Sequence, residues 1–361
     1  MVSKKQNTSL LIWPALFALL FVLSPLADNA RLWGINHLKF FPAAVIIIFC
    51  AAAILCFIPQ VSAAIHNRLN SIQRIYLELL LPQKVLLSII ILIGFFIVFY
   101  IFRKPTAFLG DGYMRGMEIM RGFGYLPLNT EPLTALVHSA FHNSIGLALG
   151  LDGHGSIRLF SAISGSAFIL AILNIIRPKQ NAVFSPLLLI LGLGGIQFYF
   201  GYVESYGLMF IGLTFSIWYS YRYLSEGRDA MKALLIYTFT FFAHFAAIYV
   251  LPAFLLLLIY ALKDKALPSW KKLSGAGLFL IMAAGMVYLS FIYMPSYGAE
   301  ERELLISLSP GGYWLFSSEH LLDVLNSLLL SGIPALMLLP LLIKKSAWSA
   351  LRNEEKLYSL L

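Results

Sequence analysis

The stretch 231–262 reads MKALLIYTFTFFAHFAAIYVLPAFLLLLIYAL, and its length decides how the chain is folded. As one helix it would measure about 48 Å at 1.5 Å per residue, well beyond the roughly 30 Å of bilayer hydrocarbon. Two shorter helices meeting near His244 fit the length. Charge points the same way. Arg222, Arg228 and Lys232 stand before the stretch, and Lys263, Lys265, Lys271 and Lys272 follow it. A single crossing would put these clusters on opposite faces, against the positive-inside bias, whereas a hairpin keeps both on the inner face.

Working outward, further apolar runs long enough to span occur near 10–27, 40–58, 85–102, 157–176, 183–200, 206–224, 273–293 and 321–343. Together with the hairpin they predict about ten membrane segments in an all-α, polytopic bundle. The alternation of a membrane barrel is absent. Composition agrees: of 361 residues 60% are hydrophobic and 12% charged, and the mean hydropathy is +0.82, so an integral membrane protein is expected rather than a soluble domain. The two cysteines, Cys50 and Cys56, share one apolar run and read as small buried hydrophobes without a disulfide framework.

Starting with Lys4 and Lys5 inside, most of the 26 basic residues fall on the inner face. The net charge of +9 then reads as topology signal and attraction to anionic headgroups, with nucleic acid excluded as a partner. The N-terminal run followed by Ser24-Pro25-Leu26-Ala27 has the look of a signal peptide, but Pro25 is a poor cleavage context and an uncleaved anchor is expected. The charged end 352–356, turning apolar again at 357–361, fits a chain that continues. The organisation expected is 1–102 as N-terminal spans, 103–155 as an outer-face segment with interfacial helices, and 156–361 as the membrane core.

The outer segment is the most polar part of the chain and opens on Gly110-Asp111-Gly112. Ionisable groups cost about 2.5–3.5 kcal/mol or more at the bilayer centre, so they persist mainly where water or function requires them. Asp111, Arg115 and Glu118 follow i, i+4, i+7 spacing and would line one face of a surface helix, with Arg121 to its side. Asn129 or Thr130 followed by Pro132 predicts a second helix start, with Glu131 beside its positive end. Two short helices joined by glycine-rich links should form an outer layer.

An acidic residue shortly after a span, then interfacial helices, then Glu131-Pro132-Leu133, resembles the GT-C superfamily of polytopic glycosyltransferases, which includes protein mannosyltransferases. The later Glu319-His320, with Asp323 and Asn326, is similar to a loop-to-span junction of such proteins. The resemblance covers the layout of roughly 109–342. Two spans rather than one precede the acidic loop, and Asp111 is flanked by glycines where an Asp-Glu pair is frequent. The resemblance implies a polyprenyl-phosphate sugar as donor, a glycan, lipid or protein hydroxyl as acceptor, and Asp111 as catalytic base in the first outer loop.

Such a transfer needs a base for the acceptor proton and cations for the departing phosphate. Asp111 would serve as the base. Arg115 and Arg158, with Arg103 and Lys104 at the interface, would hold the monophosphate, whose low charge allows guanidinium forks to replace a metal. No cofactor is called for, since the lipid-linked sugar is itself a substrate. Glu131, Glu204 and Tyr202 in the aromatic run Gln197–Gly207, and His244 at the hairpin tip, are candidate substrate contacts. Each has a structural competitor: a capping aspartate, snorkelling arginines, a dipole-favoured glutamate, a core histidine. His138 and His142 stand one helical turn apart, the spacing of a metal-binding pair, but a site would need further ligands. The competing functions are a secondary transporter, for which the hairpin would be a broken helix, and a non-catalytic lipid-binding subunit.

Overall fold

The computed structural model describes residues 12, 15–20, 22–23, 43–103, 112–128, 130–175, 191, 194–293, 317–318, 321–326 and 328–329. Among these residues the chain is helical, without strands. The chain divides into two compact units. The first comprises Met1–Leu86, Ile176–Ile196 and Ile306–Ala350; the second comprises Leu87–Ile175, Gln197–Leu305 and Leu351–Leu361.

In the first unit, α1 (Ala43–Phe57) is followed by α2 (Pro59–Glu78). Ile58 between them is extended, and Pro59 occupies the start of α2, where its missing N–H costs nothing. The two helices are bent from one another by 89°. Sequence reading placed no helix at α2, although Val61, Ile65, Leu69, Ile72 and Tyr76 recur at near-helical spacing. Cys56 is exposed and Cys50 half-buried, and both are free thiols, so the expectation of buried cysteines fails for Cys56: it lies on the outer surface of an apolar helix.

Among the described residues, three helices are long and apolar enough to cross a membrane: Leu81–Ile101, Gly153–Leu173 and Phe245–Lys263, with the bent pair after Ala43 as a fourth if it forms one span. The first of these, α3 (Leu81–Ile101), exposes Ile89, Ile90, Ile93 and Ile97. A helix apolar all round and uncovered by protein fits lipid as its solvent.

The second unit holds the segment expected at the outer face and the helices that support it. α4 (Gly112–Arg121) ends at Gly122, whose φ of 99° only glycine adopts freely, and a 3₁₀ turn leads to α5 (Pro132–Phe141). A π turn over His142–Gly146 and a 3₁₀ turn close at Gly150, φ 67°, before α6 (Gly153–Ile175). The expectation of two short helices with glycine links therefore holds. They rest on a small core of Ile119, Leu126, Leu128, Ala135, Ile157 and Val203.

The larger core joins α7 (Tyr206–Glu226), α8 (Ala230–Ala243), α9 (Leu251–Lys263) and α10 (Ser269–Tyr293). α7 and α8 pack along each other. Gly212 makes this possible, since a Cβ there would sit 2.0 Å from Thr240 Oγ1. Tyr237 stacks on Phe254 with centroids 3.9 Å apart, and its hydroxyl donates to the Ala247 carbonyl at 3.0 Å. The long run 231–262 is indeed broken at His244, where the backbone is extended (φ −162°, ψ 127°) between α8 and a 3₁₀ turn over Phe245–Val250 that leads into α9.

Candidate functional site

The break at His244 removes helical partners from the peptide groups around it, and a buried polar group without a partner costs free energy. The outer segment supplies those partners. Thr134 of α5 donates its hydroxyl to the Ala243 carbonyl at 2.8 Å, and the Phe245 N–H donates to the Thr130 carbonyl at 2.8 Å. The start of α5 is thereby tied to the tip of the hairpin.

That attachment fixes Glu131, the N-cap residue of α5. Its side chain makes no capping bond; it turns inward and is 1% exposed. There Glu131 Oε1 meets the Arg115 Nε of α4. The same guanidinium donates through Nη1 to Glu118 Oε2 at 2.9 Å and Oε1 at 3.1 Å. The second Glu131 oxygen faces His244 Nε2 at 4.0 Å. His244 Nδ1 accepts from the Ala246 N–H at 3.0 Å, so the neutral ring carries its proton on Nε2, the nitrogen facing the carboxylate. The ring stacks on Tyr206 at 4.5 Å.

Burial raises the Glu131 carboxyl from 4.5 to about 7; Arg115 and the Ser205 hydroxyl pull it down, while Glu204 and Glu118 push it up. A carboxyl poised there can exchange a proton near neutrality. The surrounding cleft is closed: Arg115, Glu118, Glu131, Thr134, His138 and Ser205 contribute its polar lining, and its volume of ≈ 10 Å³ is about one water's worth.

Of the other expected residues, Glu204 acts on Glu131. Glu204 Oε2 accepts from the Ser205 N–H at 3.3 Å, and Tyr202, 5% exposed, packs edge-on against Phe198. Arg158 is half-buried near the start of α6. Arg103 folds back on its own helix, its guanidinium 4.2 Å over the Tyr100 ring and Nη1 donating to the Tyr100 carbonyl at 2.7 Å. That is the posture of an interfacial anchor. Asp111 and Lys104 lie outside the described residues; α4 begins one residue after Asp111.

His138 and His142 each have a structural engagement. His138 is buried edge-on against Phe160, and burial lowers it to about 4. Ser156 Oγ donates to the Asp152 carbonyl and lies 2.8 Å from His142 Nδ1, which therefore carries the proton of the neutral ring. Among the described residues no group of three or more His, Cys, Asp or Glu side chains is gathered for a metal ion.

Sequence reading missed Ser205, Thr130 and Thr134 as parts of this site. Thr134, three residues beyond Glu131, is the one of these with a local signal: spacing puts it on the same helix face. No protein-family model, curated protein or solved structure matches the chain.

Proposed function

We propose that the chain is a multi-pass membrane glycosyltransferase of the GT-C type, moving a sugar from a polyprenyl phosphate to an acceptor hydroxyl at the outer face. The observation that carries this reading is the docking of the segment that follows Asp111 on the hairpin tip, which buries Glu131 against Arg115 and His244. In this reading the chain crosses the membrane about ten times with its N-terminus cytoplasmic, in the inner membrane if the source is prokaryotic.

Asp111 takes the proton of the acceptor hydroxyl as the acceptor oxygen bonds to the sugar's anomeric carbon and the bond from that carbon to phosphate breaks. Arg115 is held by Glu118 and Glu131, so its part is to fix Glu131 and the start of α5. Arg158 and Lys104 then steady the leaving phosphate, with Arg103 kept as an interfacial anchor. Glu204 and His244 border the sugar or acceptor, and the buried Glu131 positions His244. The test is transfer from a radiolabelled polyprenyl-phosphate sugar by purified protein. Asp111→Asn should lose about 10²–10⁴-fold in rate, the range for a general base. Full transfer by this variant would remove the proposed base.

One observation favours a transporter as second reading: a broken apolar helix whose break faces a buried carboxyl that titrates near neutrality. Uptake into proteoliposomes driven by a proton gradient, abolished in Glu131→Gln, would select it.

A further inference from the structure

Among the described residues, one wall of the second unit is unfilled. Between α8 and α10 an open groove with a volume of ≈ 490 Å³ is lined by Met231, Leu235, Leu278 and Ile281, with Gly277 at its floor and Lys232 and Ser274 at its mouth. Its cause is a change in packing over two residues of α10. At Gly275 the helices touch, since a Cβ there would meet Leu234 Cδ1 at 3.1 Å and Leu258 Cδ1 at 3.3 Å; at Gly277 a Cβ would meet nothing within 4 Å. From Ser274 to Ile281 the groove runs about 10 Å along the helix at 1.5 Å per residue.

The groove is apolar except at its mouth. Ser274 donates its hydroxyl to the Trp270 carbonyl at 2.8 Å, leaving Lys232 as the only charged residue on the lining among the described residues. Lys232 Nζ stands 2.9 Å from Asp229 Oδ1, while Arg222 Nη2 holds Asp229 Oδ2 at 2.9 Å. Arg222 also reaches Glu226 Oε2 at 3.7 Å, and Glu226 pairs with Arg228, so three cations share two carboxylates and leave one positive charge. The segment 222–272 carries seven basic residues against three acidic ones. Lys271 lies 5.5 Å over the ring of the exposed Trp270, and Lys232 lies 5.5 Å over Tyr219. Aromatic rings among basic side chains mark headgroup depth, so the groove descends from that level into hydrocarbon.

We infer that this groove binds one anionic glycerophospholipid, an acyl chain lying against Leu235, Gly277, Leu278 and Ile281 and the phosphate at Lys232. A free anion would gain nothing from the apolar wall, and a zwitterionic lipid would gain less from the cations. The inference does not depend on the glycosyltransferase reading.

The test is native mass spectrometry of the full chain from detergent micelles doped with equal amounts of phosphatidylglycerol and phosphatidylcholine. The wild type should retain one phosphatidylglycerol in preference to phosphatidylcholine. Lys232→Gln should reduce that preference about fivefold, the equivalent of about 1 kcal/mol per basic residue near an anionic headgroup. Gly277→Leu fills the groove without a clash and replaces a poor helix former; it should lose the retained lipid while unfolding no earlier than the wild type. Equal retention of both lipids by the wild type, or undiminished phosphatidylglycerol on Gly277→Leu, overturns the inference. So does a dimer that disappears in Gly277→Leu, which would assign the groove to a second copy.

Discussion

Glutamine at position 131 separates the cost of a buried charge from the architecture that buries it. The carboxyl is 1% exposed, and burial raises it from 4.5 to about 7. At roughly 1.4 kcal/mol per unit this is worth about 3 kcal/mol. The folded protein keeps the proton in a range where the unfolded chain has released it. The stabilisation is therefore complete below pH 4.5 and lost as the pH rises to 7. Glutamine stays neutral throughout. The stability of Glu131→Gln relative to wild type should climb by about 3 kcal/mol between pH 4.5 and 7 and level off above. His138 acts in the opposite sense: burial lowers it from 6.5 to about 4, so its contribution is lost as the pH falls through that window. It is common to both proteins, so it cancels in the difference. Thermal unfolding in detergent across this range measures that difference, and infrared absorption of the protonated carboxyl supplies the midpoint directly. A difference that stays flat or shrinks with rising pH, or a carboxyl band gone by pH 5, would refute the reasoning.

Two further outcomes test the scaffold around the site. A Cβ at Gly153 would lie 2.1 Å from the Gly116 carbonyl oxygen, so Gly153→Ala must push α4 from α6 and should cost about 1–3 kcal/mol in unfolding. At Gly116 the obstacle is instead the His154 ring, at 2.5 Å, and His154→Ala should relieve most of the penalty of Gly116→Ala in a double-mutant cycle. Thr134→Val removes the donor to the Ala243 carbonyl and should cost about 1–3 kcal/mol, with faster amide exchange at Phe245 as its local signature.

Much of the helical framework was legible because it depends on local quantities. Apolar run length anticipated α1, α3, α6, α7 and α10, and the surplus length of 231–262 anticipated the break at His244. Glycine links and Pro132 anticipated the break between α4 and α5, whereas the apolar body expected from Leu133 to Leu151 stays α-helical only to Phe141. α2 escaped because its apolar residues form a stripe rather than a continuous run. Glu131 was expected beside the positive end of a helix, and it does stand at the N-cap, but its side chain leaves the helix end for Arg115. Arg115, expected as a phosphate ligand, stands between two carboxylates that the sequence did not pair with it.

The sequence alone therefore determined the helices made of continuous apolar runs and where the long run breaks, since hydrophobic length and backbone propensity act over a few neighbouring residues. Only the tertiary structure decided that Glu131 would be buried, paired and near neutrality. Its environment comes from α4, the hairpin tip and Ser205, and the bond that anchors α5 joins Thr134 to Ala243 across 109 positions of chain. Such pairings depend on which helices become neighbours, and local hydrophobic patterning does not encode that choice.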